Sequence, residues 1–134
     1  MVRFTPQAQA LAMEVTKVAR GRAWGRVPYR PELIGDPDSG VIAGGVLTTF
    51  LDQLCGAAAI LAMDAPTVVA TIDLRIDYMR PARPGRDVLA DAHCTKLGRN
   101  IAFVRATAYE DAPDNPIAHA SAAFAITGAA KKKK

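Results

Sequence analysis

The segment from Gly45 to Met63 constrains the fold more than any other part of this 134-residue chain. Leu47, Leu51, Leu54, Ala58 and Leu61 recur along one helix face, and Gly56, Ala57, Ala58 and Ala59 keep its second half thin. Thr48, Asp52, Cys55 and Ala59 form a second face of smaller residues. A helix this apolar must be covered on more than one side. The stretch Ser39 to Met63 resembles a membrane span in composition. Asp52 in its middle, Gln53 beside it and the Gly44-Gly45 pair near its start argue against lipid, which leaves a helix wrapped by protein.

The sequence downstream supplies the cover. Ile72, Leu74, Ile76 and Tyr78 alternate with Thr71, Asp73, Arg75 and Asp77, a period of two that predicts a half-buried strand. Asp87 to Lys96 alternates through Val88, Ala90, Ala92 and Cys94, and Ile101 to Glu110 and Ile117 to Thr127 give two more strands. Between them lie a Pro/Gly connection from Met79 to Arg86, a turn from Leu97 to Asn100 and a polar loop from Asp111 to Pro116. Upstream, Ala8, Leu11, Ala12, Val15 and Val18 recur at helical spacing. Thr5 is placed to cap and Pro6 suits a first turn, which predicts an amphipathic N-terminal helix from Thr5 to about Arg20, stopped by Gly21. Arg22 to Arg30 alternates as a short edge or end strand, and Pro31 to Gly40 is a loop. These elements make an α+β fold: one long helix packed on an antiparallel sheet, plus an N-terminal helix, in one domain over residues 1–130 without internal repeats.

Composition agrees. Half the residues are hydrophobic but only 6% are aromatic, so alanine lets helix and sheet approach closely. The net charge of +4 resides in Lys131, Lys132, Lys133 and Lys134, an expected disordered tail; the rest of the chain is balanced, so neither a nucleic-acid nor a membrane partner is expected. Cys55 and Cys94 lack the spacing of a zinc site or a disulfide framework, which fits a reducing cytosol. Met1 to Pro6 has no secretory signal character.

Catalytic residue types are scarce. His93 and His119 fall in separate strands, there is no Gly-x-Ser-x-Gly elbow, and Gly40-x-x-x-Gly44-Gly45 lacks the Lys and Ser/Thr of a phosphate loop; neither metal nor cofactor is expected. What remains is Gly44-Gly45 at a helix start with Asp52 two turns further on. Amides bared by glycine can hold a developing oxyanion, and a carboxylate beside them can act as base or nucleophile. The spacing alone equally admits glycines that serve close packing and an Asp52 bonded to a backbone amide or facing a subunit.

The stretch Pro37-Asp38-Ser39-Gly40-Val41-Ile42-Ala43-Gly44-Gly45-Val46-Leu47-Thr48-Thr49-Phe50-Leu51-Asp52, followed by Thr71-Ile72-Asp73-Leu74-Arg75-Ile76-Asp77-Tyr78-Met79-Arg80-Pro81-Ala82, resembles the hotdog-fold acyl-CoA thioesterases of the phenylacetate-pathway type. The likeness runs from about Ile34 to Ile126. It implies a curved antiparallel sheet around the long helix, and a homodimer or homotetramer whose subunits share active sites.

By that resemblance Asp52 is the catalytic carboxylate, the Gly45 amide polarises the thioester carbonyl, and Thr71 places the water. Ala43 and Gly44 complete the substrate-binding helix start. Arg83 and Arg99, among Arg80, Arg83, Arg86 and Arg99 in two turns, meet the phosphates of coenzyme A, and the acyl group lies near Leu51, Cys55 and Tyr78. The implied reaction is hydrolysis of an acyl-CoA to free acid and CoA. Two positions depart from the pattern: the family's His-Gly-Gly is Ala43-Gly44-Gly45, and its earlier Asn or His falls on Pro37. The first departure also suits a noncatalytic acyl-CoA-binding or regulatory subunit.

Overall fold

An antiparallel six-stranded sheet curls around one helix in the computed structural model, which describes residues 12–36, 38, 40–42, 44–65 and 67–129. Strands β1 (Glu14–Ala19) and β2 (Arg22–Val27) precede a 3-10 turn (Pro31–Leu33) and two short strands, β3 (Ile34–Asp36) and β4 (Val41–Ile42), which pair with each other. Helix α1 (Gly44–Leu61) follows, then β5 (Thr67–Tyr78), β6 (Val88–Leu97), β7 (Ile101–Tyr109) and β8 (Ala118–Ala129). The large sheet has the order β1-β2-β6-β7-β8-β5, so β5 is an edge strand although it is among the longest. This is the expected hotdog architecture.

Small residues explain how closely helix and sheet meet. Ala23, Ala90, Ala92, Ala102, Ala106, Ala108, Ala118, Ala120 and Ala122 are buried on the face that carries the helix, and Phe50, Leu51 and Leu54 fill the space they leave. A Cβ on Gly25 of β2 would lie 3.0 Å from both Phe50 and Leu54 and 3.1 Å from the Glu14 carbonyl, so glycine lets the helix lie here without displacing these neighbours. The helix is apolar enough to cross a membrane, with a mean hydropathy of 1.4, but Leu47, Phe50, Leu51 and Leu54 are buried under the strands.

Two expectations change. Strand β2 lies between β1 and β6 rather than at an edge, with Pro28 just past its last residue. Within the proposed helix from Thr5 to Arg20, residues 14–19 form strand β1, paired antiparallel with β2; residues 5–11 lie outside the described part. Val15, Thr16 and Val18 are β-branched and stiff at χ1, which favours a strand, and a bulge between Val15 and Lys17 disturbs the alternation that would have revealed it. Gly21 ends no helix but turns the chain with φ +68° into β2. Its N–H donates to the Leu61 carbonyl at 3.1 Å and its carbonyl accepts from Cys94 N–H at 2.8 Å, which pins this hairpin to the end of α1. Ala43, Pro37 and the lysines 131–134 lie outside the described residues.

Candidate active site

Asp52 sits half-buried in the middle of α1, on the side that faces the edge strand. Opposite it β5 departs from regular pairing with β8: the register shifts between Thr71 and Asp73. Such a bulge re-aims side chains. Thr71 Oγ1 donates a 2.8 Å hydrogen bond to Asp52 Oδ1. Thr48, Thr49, Asp52, Gln53, Thr71 and Leu74 then line a cleft of about 380 Å³ open to solvent.

The cleft is more polar than a channel along Leu51 and Cys55 would be. Both are fully buried and lie behind its wall. Burial, and secondarily the Asp52 charge, push the Cys55 thiol up to about 12, so it stays protonated and inert. The residues absent from the sequence-based site are Thr48, Thr49, Gln53 and Leu74. Their signal was present: Thr48 with Asp52, and Thr49 with Gln53, are i,i+4 pairs that form a polar stripe on an otherwise apolar helix.

At the N-terminus of α1, Gly44 and Gly45 are exposed, and no atom lies within 4 Å of where a Cβ on Gly45 would be. First-turn amides have no acceptor within the helix, so the Gly45 N–H is not used by α1 itself. The Gly44 carbonyl accepts from Thr48 Oγ1 at 3.2 Å and from Tyr78 Oη at 3.3 Å, the latter reaching across from the end of β5. Gly45 and Asp52 lie seven residues apart, about 10 Å along the axis and on nearly the same azimuth.

The arginines are divided in their surroundings. Arg83 Nη1 lies 3.0 Å from Asp111 and its Nε 3.6 Å from Glu110, while Arg86 pairs with Asp111 at 2.6 Å and Arg80 with Glu110 at 2.9 Å. Glu110 is buried and also accepts from the Arg83 backbone N–H, so this group anchors the 79–86 connection to the end of β7. Arg99 is exposed in the turn between β6 and β7 with no carboxylate partner among the described residues. His93 and His119 pair in register with Arg105 and Thr107, on the sheet face turned away from α1. The structure therefore brings Asp52 and Thr71 together and presents Gly44 and Gly45 at the helix start. Both histidines lie elsewhere.

The sequence pattern of the family described as Thioesterase superfamily matches residues 39–116, which include the helix, the bulged strand and the arginine connection. A protein of Halobacterium salinarum named as an esterase is 35% identical over 94 residues, 68% of this chain and 61% of its own length. Human acyl-coenzyme A thioesterase 13 is 33% identical over 64 residues, 48% of this chain and 45% of its own. The matched part thus spans less than two thirds of either relative. A crystal structure of a Pseudomonas aeruginosa protein superposes with a TM-score of 0.81 at 39% identity, over 90% of this chain and 89% of that one. The PaaI protein from the phenylacetic acid degradation operon of Escherichia coli shares the fold, with a TM-score of 0.80 at 16% identity over 91% of this chain and 84% of that one.

Proposed function

The chain belongs to the thioesterase superfamily, and from that premise we propose that it hydrolyses an acyl-CoA thioester to the free acid and CoA. The observation that carries the reading is the Thr71–Asp52 hydrogen bond at the wall of an open cleft. Asp52 takes a proton from the attacking water, or adds to the carbonyl itself, while Thr71 holds one carboxylate oxygen and places the water. The carbonyl oxygen gains charge as the carbon becomes tetrahedral, and the Gly45 amide receives it. On the first route collapse expels the CoA thiolate, which takes up the proton held by Asp52; on the second it expels the thiolate and leaves an acyl–Asp52 anhydride, which water then hydrolyses, restoring the carboxylate and giving the thiolate its proton. A thioester is electrophilic enough that one base and one oriented N–H dipole suffice without a triad.

About 10 Å of helix separates Gly45 from Asp52, which favours a site shared between two copies, the amide of one facing the carboxylate of the other. The long exposed edge of β5, with Val68 and Ile72 more than half exposed, supports pairing of copies there as a homodimer or, with a second interface, a homotetramer. Arg99 and Arg83 are the proposed contacts to the nucleotide phosphates of CoA. Two free thiols support a reducing, cytosolic setting.

A second reading, a noncatalytic acyl-CoA-binding or regulatory subunit, draws on Ala43 in place of the family's histidine. A thiol-release assay across short, medium and aromatic acyl-CoAs separates the two. Turnover by the wild type, reduced about 10²- to 10⁴-fold in Asp52→Asn, supports the enzyme. Binding of acyl-CoA by calorimetry without release of CoA supports the second reading, and an Asp52→Asn variant as fast as the wild type removes Asp52 from the chemistry.

A further inference from the structure

We infer that Tyr78 is the positioning residue for the Gly45 amide, an inference that rests on the oxyanion role proposed above for that amide. The Gly44 carbonyl and the Gly45 N–H belong to one planar trans peptide unit and point in opposite directions, so whatever fixes the carbonyl also aims the N–H. Two side chains bond that carbonyl: Thr48 Oγ1 at 3.2 Å and Tyr78 Oη at 3.3 Å. Thr48 belongs to the same helix and moves with it. Tyr78 ends β5, where it pairs in register with Ala118, so its hydroxyl ties the helix start to the sheet.

The tether matters because, of the two side chains that bond this carbonyl among the described residues, Tyr78 alone comes from outside the helix. Gly44 and Gly45 have no side chains to pack, and two consecutive glycines leave the backbone at its most permissive. The imidazole that precedes this pair in the family pattern is absent, since the residue is Ala43. A Cβ on Gly44 would lie 3.7 Å from the Tyr78 hydroxyl, so the ring tip faces the peptide directly. A hydrogen bond accepted by the carbonyl also polarises the unit and strengthens its N–H as a donor. Tyr78 thus acts on the oxyanion through the peptide bond, without touching the substrate carbonyl.

Tyr78→Phe removes the hydroxyl and keeps the half-exposed ring. We expect kcat to fall about 5- to 10-fold, the scale of one neutral hydrogen bond, with KM within about twofold because the loss is felt where charge develops. In the unliganded protein the Gly44 carbonyl carbon resonance should move upfield, with the melting temperature unchanged. Unchanged kcat and an unmoved Gly44 resonance beside an active wild type overturn the role of Tyr78 alone. A lower melting temperature with kcat intact also overturns it, as the mark of a structural role. A wild type without turnover overturns the oxyanion reading and this inference with it; the Gly44 resonance distinguishes that case, since the bond would still register.

Discussion

Thr71 Oγ1 and Asp52 Oδ1, nineteen residues apart in sequence, are joined by a 2.8 Å hydrogen bond that links the edge strand to the central helix. The bond occupies one carboxylate oxygen of a residue that lines the cleft. It also fixes the side-chain rotamer of a half-buried aspartate whose other neighbours in the cleft are Thr48, Thr49 and Gln53.

Thr71→Val removes the hydroxyl while keeping a branched side chain. The variant should lose about 10-fold in kcat and almost nothing in stability, because the group is exposed. Thr71→Ser should restore most of the rate. Steady-state kinetics beside a thermal melt test this, and a Thr71→Val protein with the wild-type rate would remove the residue from the mechanism.

The two arginines proposed to contact coenzyme A should behave differently. Arg83 already faces Asp111 and Glu110, whereas Arg99 has no carboxylate partner among the described residues. Arg99→Ala is expected to raise KM for an acyl-CoA about 3- to 10-fold, but not for the corresponding acyl-pantetheine, which lacks the nucleotide. A smaller rise is expected for Arg83→Ala. Equal rises for both substrates in Arg99→Ala would place that arginine away from the phosphates.

Glu110 is the one buried charged side chain among the described residues, 1% exposed against Arg80 at 22%. Removing its carboxylate takes the opposite charge from Arg80, which keeps its bonds to Asn115 and the Pro81 carbonyl, and leaves the Arg83 amide without its acceptor. Glu110→Ala should therefore cost about 2–3 kcal/mol, seen as a lower urea midpoint. Asp64→Ala, which breaks the exposed Arg20 pair, should cost less than about 0.5 kcal/mol. Similar losses in the two variants would show that the Glu110 cluster does not anchor the connection.

Cys55 should make stability fall at alkaline pH. In the folded protein its thiol keeps a proton to about pH 12, against 9.0 for a free thiol. Between those values the unfolded chain binds fewer protons than the folded one, so unfolding becomes easier as pH rises, by up to about 1.4 kcal/mol per unit from this group. Urea melts from pH 8 to pH 11 should show a decline that Cys55→Ala makes shallower. Parallel declines would mean that other groups account for it.

Local patterns in the sequence carried most of the architecture. The apolar helix, the period-two strands from Thr71 onward and the alanine-rich inner positions follow from burial on one face of a regular element, which leaves a spacing that can be read without knowing the neighbours. Asp52 and the Gly44-Gly45 pair were legible for the same reason: each breaks a regular apolar run. The segment before Gly21 carries helical spacing yet forms a strand, because β-branched residues and a bulge imitate that spacing over a few positions.

The remaining features depend on which strands lie side by side. Only the register of β5 against β8, with its bulge after Thr71, brings that hydroxyl to Asp52, and only the end of β5 brings Tyr78 to the Gly44 carbonyl. Arg83 reads as an available cation in sequence and becomes a paired one because β7 delivers Glu110 beneath it. Periodicity records which face of an element is covered, so the helix, most of the strands and the residue types at the site can be read along the chain. Contacts between distant segments are decided by strand order and register, which no local pattern encodes, and so the partners of Asp52, Gly44 and Arg83 emerged only in the folded chain.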